Sequence, residues 1–260
     1  GAHVYPLISY GLTLHCKLYS VKQKMYNRLC ITILKEVKMA KNSTKSSNKS
    51  IPLSKERVIK YAIKLADAGG IEALSTPKLR QTLGVEAMAL YHYISNKNQL
   101  IEGMIDYVHG EIKVPTGEVD WRVFMQKRAE SAFKVLLLHP WASPIMEAGV
   151  NPGPSTLRDS DNCMKSLREA GFSVEMPVHA ITLLNIYIYG AAQHYSRLNF
   201  SNSQEAADFS ETIRNQFPID EYPYLGEIIT EYMMKSSYDA RQEFEFGLDL
   251  ILNGIERIKH

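Results

Sequence analysis

The stretch Ser75-Thr-Pro-Lys-Leu-Arg-Gln-Thr-Leu-Gly84-Val-Glu-Ala-Met-Ala-Leu-Tyr-His-Tyr-Ile-Ser-Asn-Lys97 decides how the rest of this chain is read. Its spacing predicts a short helix, a tight turn and a second short helix. Leu79 and Leu83 lie on one face of the first helix, with Thr76 placed to cap it and Pro77 at its first position. Gly84 supplies the left-handed backbone that stops this helix, and Val85 is apolar enough to bury under the turn. Leu90 and Ile94 form the inner face of the second helix. Ala87, Met88, Ala89, Tyr91, His92 and Tyr93 are then left largely outside.

An outward face of small and aromatic residues, followed by Asn96-Lys97, suits a helix laid in the major groove of DNA. Small residues let the backbone approach base edges and thymine methyls, while Tyr and Lys reach phosphates. The plainer alternative, a helical hairpin in an ordinary core with incidental surface aromatics, fits the same spacing.

Working outward, an earlier helix is expected from Ser54, an N-cap with Arg57 where a full capping box would place Glu. Val58, Ile59, Ala62, Ile63, Leu65 and Ala66 form its apolar stripe, and Asp67-Ala-Gly69-Gly70 ends it. On the other side, Leu100, Ile101, Met104, Ile105, Val108 and Ile112 mark a fourth helix, 97–113, that stops before Pro115.

Residues 54–112 resemble the N-terminal DNA-binding domain of the tetracycline-repressor (TetR) family of transcriptional regulators. The resemblance is carried by Ala68-Gly69-Gly70-Ile71-Glu72-Ala73-Leu74-Ser75, Lys78-Leu79, Leu83-Gly84-Val85, Ala89-Leu90-Tyr91-His92-Tyr93, Asn96-Lys97 and Leu100-Ile101. It implies that 87–93 enters the major groove, with Tyr91 and Lys97 on phosphates. With Thr76, Pro77 and Lys78 at the head of the helix pair, the expected DNA-facing set is Thr76, Pro77, Lys78, Ala87, Met88, Ala89, Tyr91, His92, Tyr93 and Lys97. Pro77 stands where the tetracycline repressors have a base-reading arginine, which implies a different operator sequence.

The whole chain agrees with a two-part reading. At 260 residues it is long for one core. With 45% hydrophobic and 22% charged residues it has the composition of a soluble globular protein. No apolar run reaches the roughly 18 residues of a transmembrane helix, so no membrane partner is expected. Cys16, Cys30 and Cys163 are odd in number and scattered. They fit neither a disulfide framework nor a zinc site, and a reducing cytoplasm is the expected location.

The net charge of +2 hides an asymmetry: residues 1–38 sum to +5, 39–113 to +4 and 114–260 to −7. A basic first part on an acidic remainder favours a polyanionic partner for the first part alone. Residues 1–38 lack both clear periodicity and a signal-peptide pattern. Because Met39 opens an ordinary bacterial N-terminal sequence, 1–38 are expected to derive from upstream of the natural start. A basic amphipathic helix over 19–38 is the competing reading. Residues 40–50 are a polar, lysine-bearing arm that cannot bury apolar surface. The expected division is an extension over 1–50, a DNA-binding domain over 51–113 and a ligand-binding and dimerisation domain over 114–260.

From Pro115 onward the pattern predicts helices alone, over 120–138, 141–150, 157–170, 178–198, 209–217, 222–234 and 239–258, so the fold class is all-α. Helices 178–198 and 239–258 are apolar nearly all round and need burial on more than one side. A symmetric four-helix interface between two subunits would provide it, with Gly190, Ala191, Ala192 and Gly247 allowing close approach. Residues 244–257 and Trp121 also resemble the tetracycline-repressor type of C-terminal domain.

The resemblance implies a ligand-controlled repressor that acts as a homodimer on a palindromic operator, its two recognition helices about 34–36 Å apart. A small apolar effector would sit among helices 97–113, 120–138, 157–170 and 178–198, with Met104, Val108, Phe124, Arg128, Phe133, Met146, Tyr187 and His194 as candidate contacts. Plain core packing competes at each of them. Lys113 and Met146 fall where the tetracycline repressors place their drug- and magnesium-binding histidines, so neither that drug nor a metal is expected, and no cofactor.

Catalysis has little to stand on. His92, His109, His139, His179 and His194 fall on different helices without partners four residues on, and no nucleophile elbow, phosphate loop or dinucleotide fingerprint occurs. Asp159-Ser-Asp161 reads as the polar surface of a helix, and His139 and His179 as satisfied core or cap residues. Two alternatives to the ligand-released repressor stay open: a DNA-binding dimer without a small ligand, and a helical enzyme or partner-binding module.

Overall fold

The computed structural model describes residues 54–75, 77, 79, 81, 93–198, 221–228, 231 and 240–258, apart from the side chains of 197, 198 and 240. The fold is all-α, with two compact units that divide between Tyr93 and Ile94. The helices among the described residues are labelled α1–α8 in chain order.

In the first unit, α1 spans Lys55–Gly69. Ser54 caps it, its Oγ accepting from the Arg57 N–H at 3.2 Å. Val58, Ile59, Ala62, Ile63 and Ala66 are buried, as the spacing predicted, while Leu65 is half-buried. The helix ends because Gly70 takes a φ of 73°, a left-handed value that side-chain-bearing residues rarely adopt. A single 3-10 turn, Ile71–Ala73, follows and packs against α1. Leu74 and Leu79 complete the buried set among the described residues of this unit. The expected turn at Gly84 and, apart from Tyr93, the outward face of the second helix lie outside the described residues, as does the helix expected over 209–217.

In the second unit, α2 spans Lys97–Glu111, ending just short of the expected Lys113. Asn96 Oδ1 accepts from the Gln99 N–H at 2.9 Å, and Gln99 Oε1 accepts from the Ser95 N–H at 3.2 Å. Helix α3 spans Trp121–Leu138 from an Asp120 cap, and α4 spans Ala142–Ala148. Helix α5, Pro154–Glu169, begins three residues before the expected 157.

The early start has a physical cause. Asp106 of α2 accepts from the Ser155 and Thr156 N–H groups at 2.9 and 3.0 Å, capping α5 from a neighbouring helix. Gly153 at the N-cap has no room for a β-carbon, which would collide with the Asp106 carboxylate.

Helices α6, Met176–Leu198, α7, Pro223–Ile228, and α8, Ala240–Arg257, complete the set. α6 packs on α3, α4, α5 and α8, and α2 packs on α3, α4 and α5. An aromatic stack joins three of these helices: Phe133 of α3 lies parallel to Phe244 of α8 at 4.0 Å, and Tyr187 of α6 stacks on Phe244 at 5.3 Å. Gly247 belongs to this intrachain contact, since the Tyr187 ring occupies the space of its missing side chain. That corrects its expected place in a subunit interface. Ala191 and Ala192 are buried within the chain, and Gly190 is exposed.

The apolar surface that α6 and α8 cannot bury remains exposed: Val178, Leu183 and Ile186 on α6, Phe246 and Leu250 on α8.

Candidate functional site

Two sets of residues carry the functional reading. Of the expected DNA-facing set, the described residues are Pro77, Tyr93 and Lys97; Thr76, Lys78, Ala87, Met88, Ala89, Tyr91 and His92 lie outside them. Pro77 is exposed, Tyr93 is half-buried, and Lys97 is exposed. Lys97 occupies the first position of α2, directly after the Asn96 cap. A helix N-terminus already presents free N–H groups and a positive dipole end, so an exposed ammonium there adds to an anion-attracting corner.

The second set lies in the core of the second unit. Met104, Val108, Phe124, Arg128 and Phe133 are buried, Met146 and Tyr187 are half-buried, and His194 is exposed, its ring beside that of Tyr195. Phe133 and Tyr187 meet on Phe244 in the aromatic stack, so they also hold α3, α6 and α8 together.

Arg128 belongs to a different group, one of buried polar side chains. Its Nε donates to Asp159 Oδ1 and Oδ2 at 3.2 and 3.1 Å, its Nη2 to Asp159 Oδ2 at 2.7 Å, and its Nη1 to Asn185 Oδ1 at 2.9 Å. Arg128 is 4% exposed and Asp159 8%, so both charges have left water. The fork geometry of guanidinium on carboxylate is the arrangement that best offsets such burial. The imidazole of His109, on α2, approaches from a third side, with Nδ1 3.6 Å from Asp159 Oδ2.

This places Asp159 in the core and corrects its reading as helix surface; Asp161 is exposed as expected. The signal was in the spacing. Asp159, Cys163 and Leu167 are four apart and all buried, so Asp159 lies on the inner stripe of α5. His109 was passed over for lack of a helical partner at the next turn, whereas its neighbour comes from another helix. His139 is buried and paired with Glu111 at 3.1 Å, but His179 is exposed rather than a core residue.

The electrostatics of the group follow from burial. Burial works against the Arg128 charge, yet the Asp159 carboxylate that accepts its hydrogen bonds outweighs it and holds the guanidinium charged. Burial lowers the pKa of His109 despite the nearby Asp159, so its imidazole is neutral at pH 7. Burial pushes the Cys163 thiol up to about 12 and raises the Tyr189 hydroxyl, leaving both protonated. The group therefore pairs one buried positive charge with one buried negative charge, and the Asp106 carboxylate also acts on His109. Among the described residues no cluster of three His, Cys, Asp or Glu could hold a metal ion, and no helix is long and apolar enough to cross a membrane.

Comparison with known proteins agrees with both units. Residues 58–104 match the family model of bacterial regulatory proteins, tetR family, and residues 114–258 match the tetracyclin repressor-like C-terminal domain. The HTH-type transcriptional repressor DrrR1 of Streptomyces coeruleorubidus is 28% identical over 213 residues, covering 78% of this chain and 77% of that protein. The class C tetracycline repressor of Escherichia coli is 27% identical over 215 residues, covering 80% of this chain and 92% of that protein. Among solved structures, the TetR family protein ActR of Streptomyces coelicolor in complex with actinorhodin superposes with a TM-score of 0.66 at 25% identity, covering 80% of this chain and 98% of that one. With its helix-turn-helix family domain followed by a repressor-type helical domain, the chain belongs to the tetR family and is a DNA-binding transcriptional regulator.

Proposed function

We propose that the protein is a homodimeric repressor that leaves a palindromic operator when a small, largely apolar molecule binds its C-terminal domain. The observation that carries this reading is the tandem of the two family matches, with helix α2 running from the end of the first into the short stretch before the second. DNA contact is assigned to Thr76, Pro77, Lys78, Ala87, Met88, Ala89, Tyr91, His92, Tyr93 and Lys97. Two copies of this set would reach major-groove sites about one helical turn apart.

Dimerisation is assigned to α6 and α8. Their exposed Val178, Leu183, Ile186, Phe246 and Leu250 form the kind of apolar surface that a soluble chain covers with a partner. The effector is assigned to the core among α2, α3, α5 and α6. That the similar ActR was solved in complex with actinorhodin supports an effector for this chain. Neither a catalytic role nor a membrane location is part of this reading, and the site of action is the cytoplasm.

Control of α2 is the mechanism. The helix starts three residues after the boundary at Ile94, and its side chains Asp106 and His109 reach α5. A ligand that displaces α5 or α3 changes where α2 is held, and with it the spacing of the two recognition helices. A hundredfold loss of DNA affinity needs a difference of about 2.7 kcal/mol in ligand binding between the two states.

The test is a gel shift of the purified full chain on DNA flanking its own gene, across a salt series. The expected result is a palindrome-specific complex with two subunits per site and a steep salt slope. A dimer that shows only weak, sequence-independent binding to that DNA and to a random-sequence pool would overturn the reading.

A further inference from the structure

The first turn of α5 has no cap of its own. Its N-cap residue, Gly153, has no side chain to offer, and Pro154 has no N–H. The N–H groups of Ser155 and Thr156 precede the first bond made within the helix, from the Leu157 N–H to the Gly153 carbonyl. One oxygen of another helix takes both. Asp106 Oδ1 of α2 accepts them at 2.9 and 3.0 Å, and accepts the Thr156 hydroxyl at 3.2 Å.

The grip is wider than one residue. Glu102 lies one turn before Asp106 on α2, and its Oε1 accepts from Asn151 Nδ2 at 2.6 Å. Gly110 lies one turn after it, where a β-carbon would stand 3.3 Å from Ser155 Oγ. Residues 102, 106 and 110 thus form one face of α2 laid against 151–156.

A turn whose N–H groups depend on a foreign carboxylate forms only while that carboxylate is in place. If α2 carries Asp106 away, the part-buried Ser155 and Thr156 N–H groups have no acceptor within α5, and donors left without partners are costly. Unwinding as far as Leu157, from which α5 makes its own bonds, returns these groups to water and removes that cost.

We propose that residues 154–156 are a conditional turn of α5, folded while α2 holds Asp106 over it and unwound when α2 moves. Asp106 is the positioning residue of this device and is assigned to neither the DNA contact nor the effector. This rests on the reading of α2 as the control helix of a DNA-binding regulator. It goes further by coupling the start of α5 to DNA whatever the effector is. Such coupling is reciprocal, so DNA that fixes the Lys97 end of α2 also holds the distant turn folded.

The test is hydrogen–deuterium exchange at the Ser155 and Thr156 amides of the full chain, read by mass spectrometry with and without the operator duplex found by gel shift. A random duplex of equal length is the control. The operator is expected to slow these amides by about fivefold and the random duplex by less than about twofold. Asp106→Ala should speed them by about tenfold without DNA and abolish the operator effect. Asp106→Asn keeps an acceptor oxygen and should keep most of that effect. Asp120→Ala removes the cap of α3, a comparable disturbance away from α2, and should keep the effect in full. A purely structural role for Asp106 would make the two alanine variants alike.

Operator that binds yet leaves the two amides unchanged would overturn the proposal, and that comparison needs only the unaltered chain should Asp106→Ala fail to fold. Equal exchange in Asp106→Ala and the unaltered chain would do the same, as would an operator effect that survives the alanine. Failure of the repressor reading is a different result, in which no specific DNA is bound. The conditional turn then stands or falls on the exchange rates of Asp106→Ala alone.

Discussion

At the scale of single residues, the second unit depends on side chains that serve a helix other than their own. Asp106 belongs to α2 but caps α5, and Gly153 leaves the space its carboxylate fills. Asp106→Ala is expected to lower the unfolding free energy by about 1–2 kcal/mol, the usual cost of a lost cap, as measured by urea denaturation. Gly153→Ala should cost a comparable amount by displacing the same carboxylate. His109 makes a prediction in pH. Burial puts its folded pKa below the unfolded value near 6.5, so below that pH the unfolded chain takes up the proton more readily. Its contribution is complete above pH 6.5 and declines as the pH falls from there toward the lowered folded value. Melting curves of the unaltered chain and His109→Gln between pH 5 and 8 should show the difference between them moving against the unaltered chain as the pH drops through this window.

At the scale of elements, α6 and α8 each have more apolar circumference than one chain can cover. Their inner faces meet through the Phe133–Phe244–Tyr187 stack, while Ile186 is 62% exposed and Leu250 57%. Glutamate at both exposed positions touches no described core contact, so Ile186→Glu with Leu250→Glu should leave helical content and melting cooperativity intact. Light scattering should report conversion from two chains per particle to one. A variant that remains dimeric would move the interface to another face.

At the scale of the whole molecule, DNA affinity is expected to be largely electrostatic in its salt dependence. Lys97→Ala should weaken binding to all sequences about equally and lower the salt slope by about one, because an exposed lysine at a helix start contacts phosphate rather than base edges. A gel shift on operator and random DNA, repeated at several salt concentrations, checks both parts. A loss confined to the operator would instead make Lys97 a base-reading residue.

Much of this molecule was legible in the chain itself. Periodicity and punctuation located α1, α2, α3, α6 and α8 to within a few residues, because a cap such as Ser54 and a stop such as Gly70 act over a single turn. The family also followed from residues at set spacing, since a helix-turn-helix encodes its contacts locally. What stayed hidden was long-range. The cap on α5 comes from Asp106, forty-nine and fifty positions away from the N–H groups it serves. The partner of Arg128 is thirty-one positions off, and sequence alone read that partner, Asp159, as a surface residue. A charged side chain shows only its preference for water, and whether another helix offers a counter-charge that offsets its burial is settled by tertiary packing.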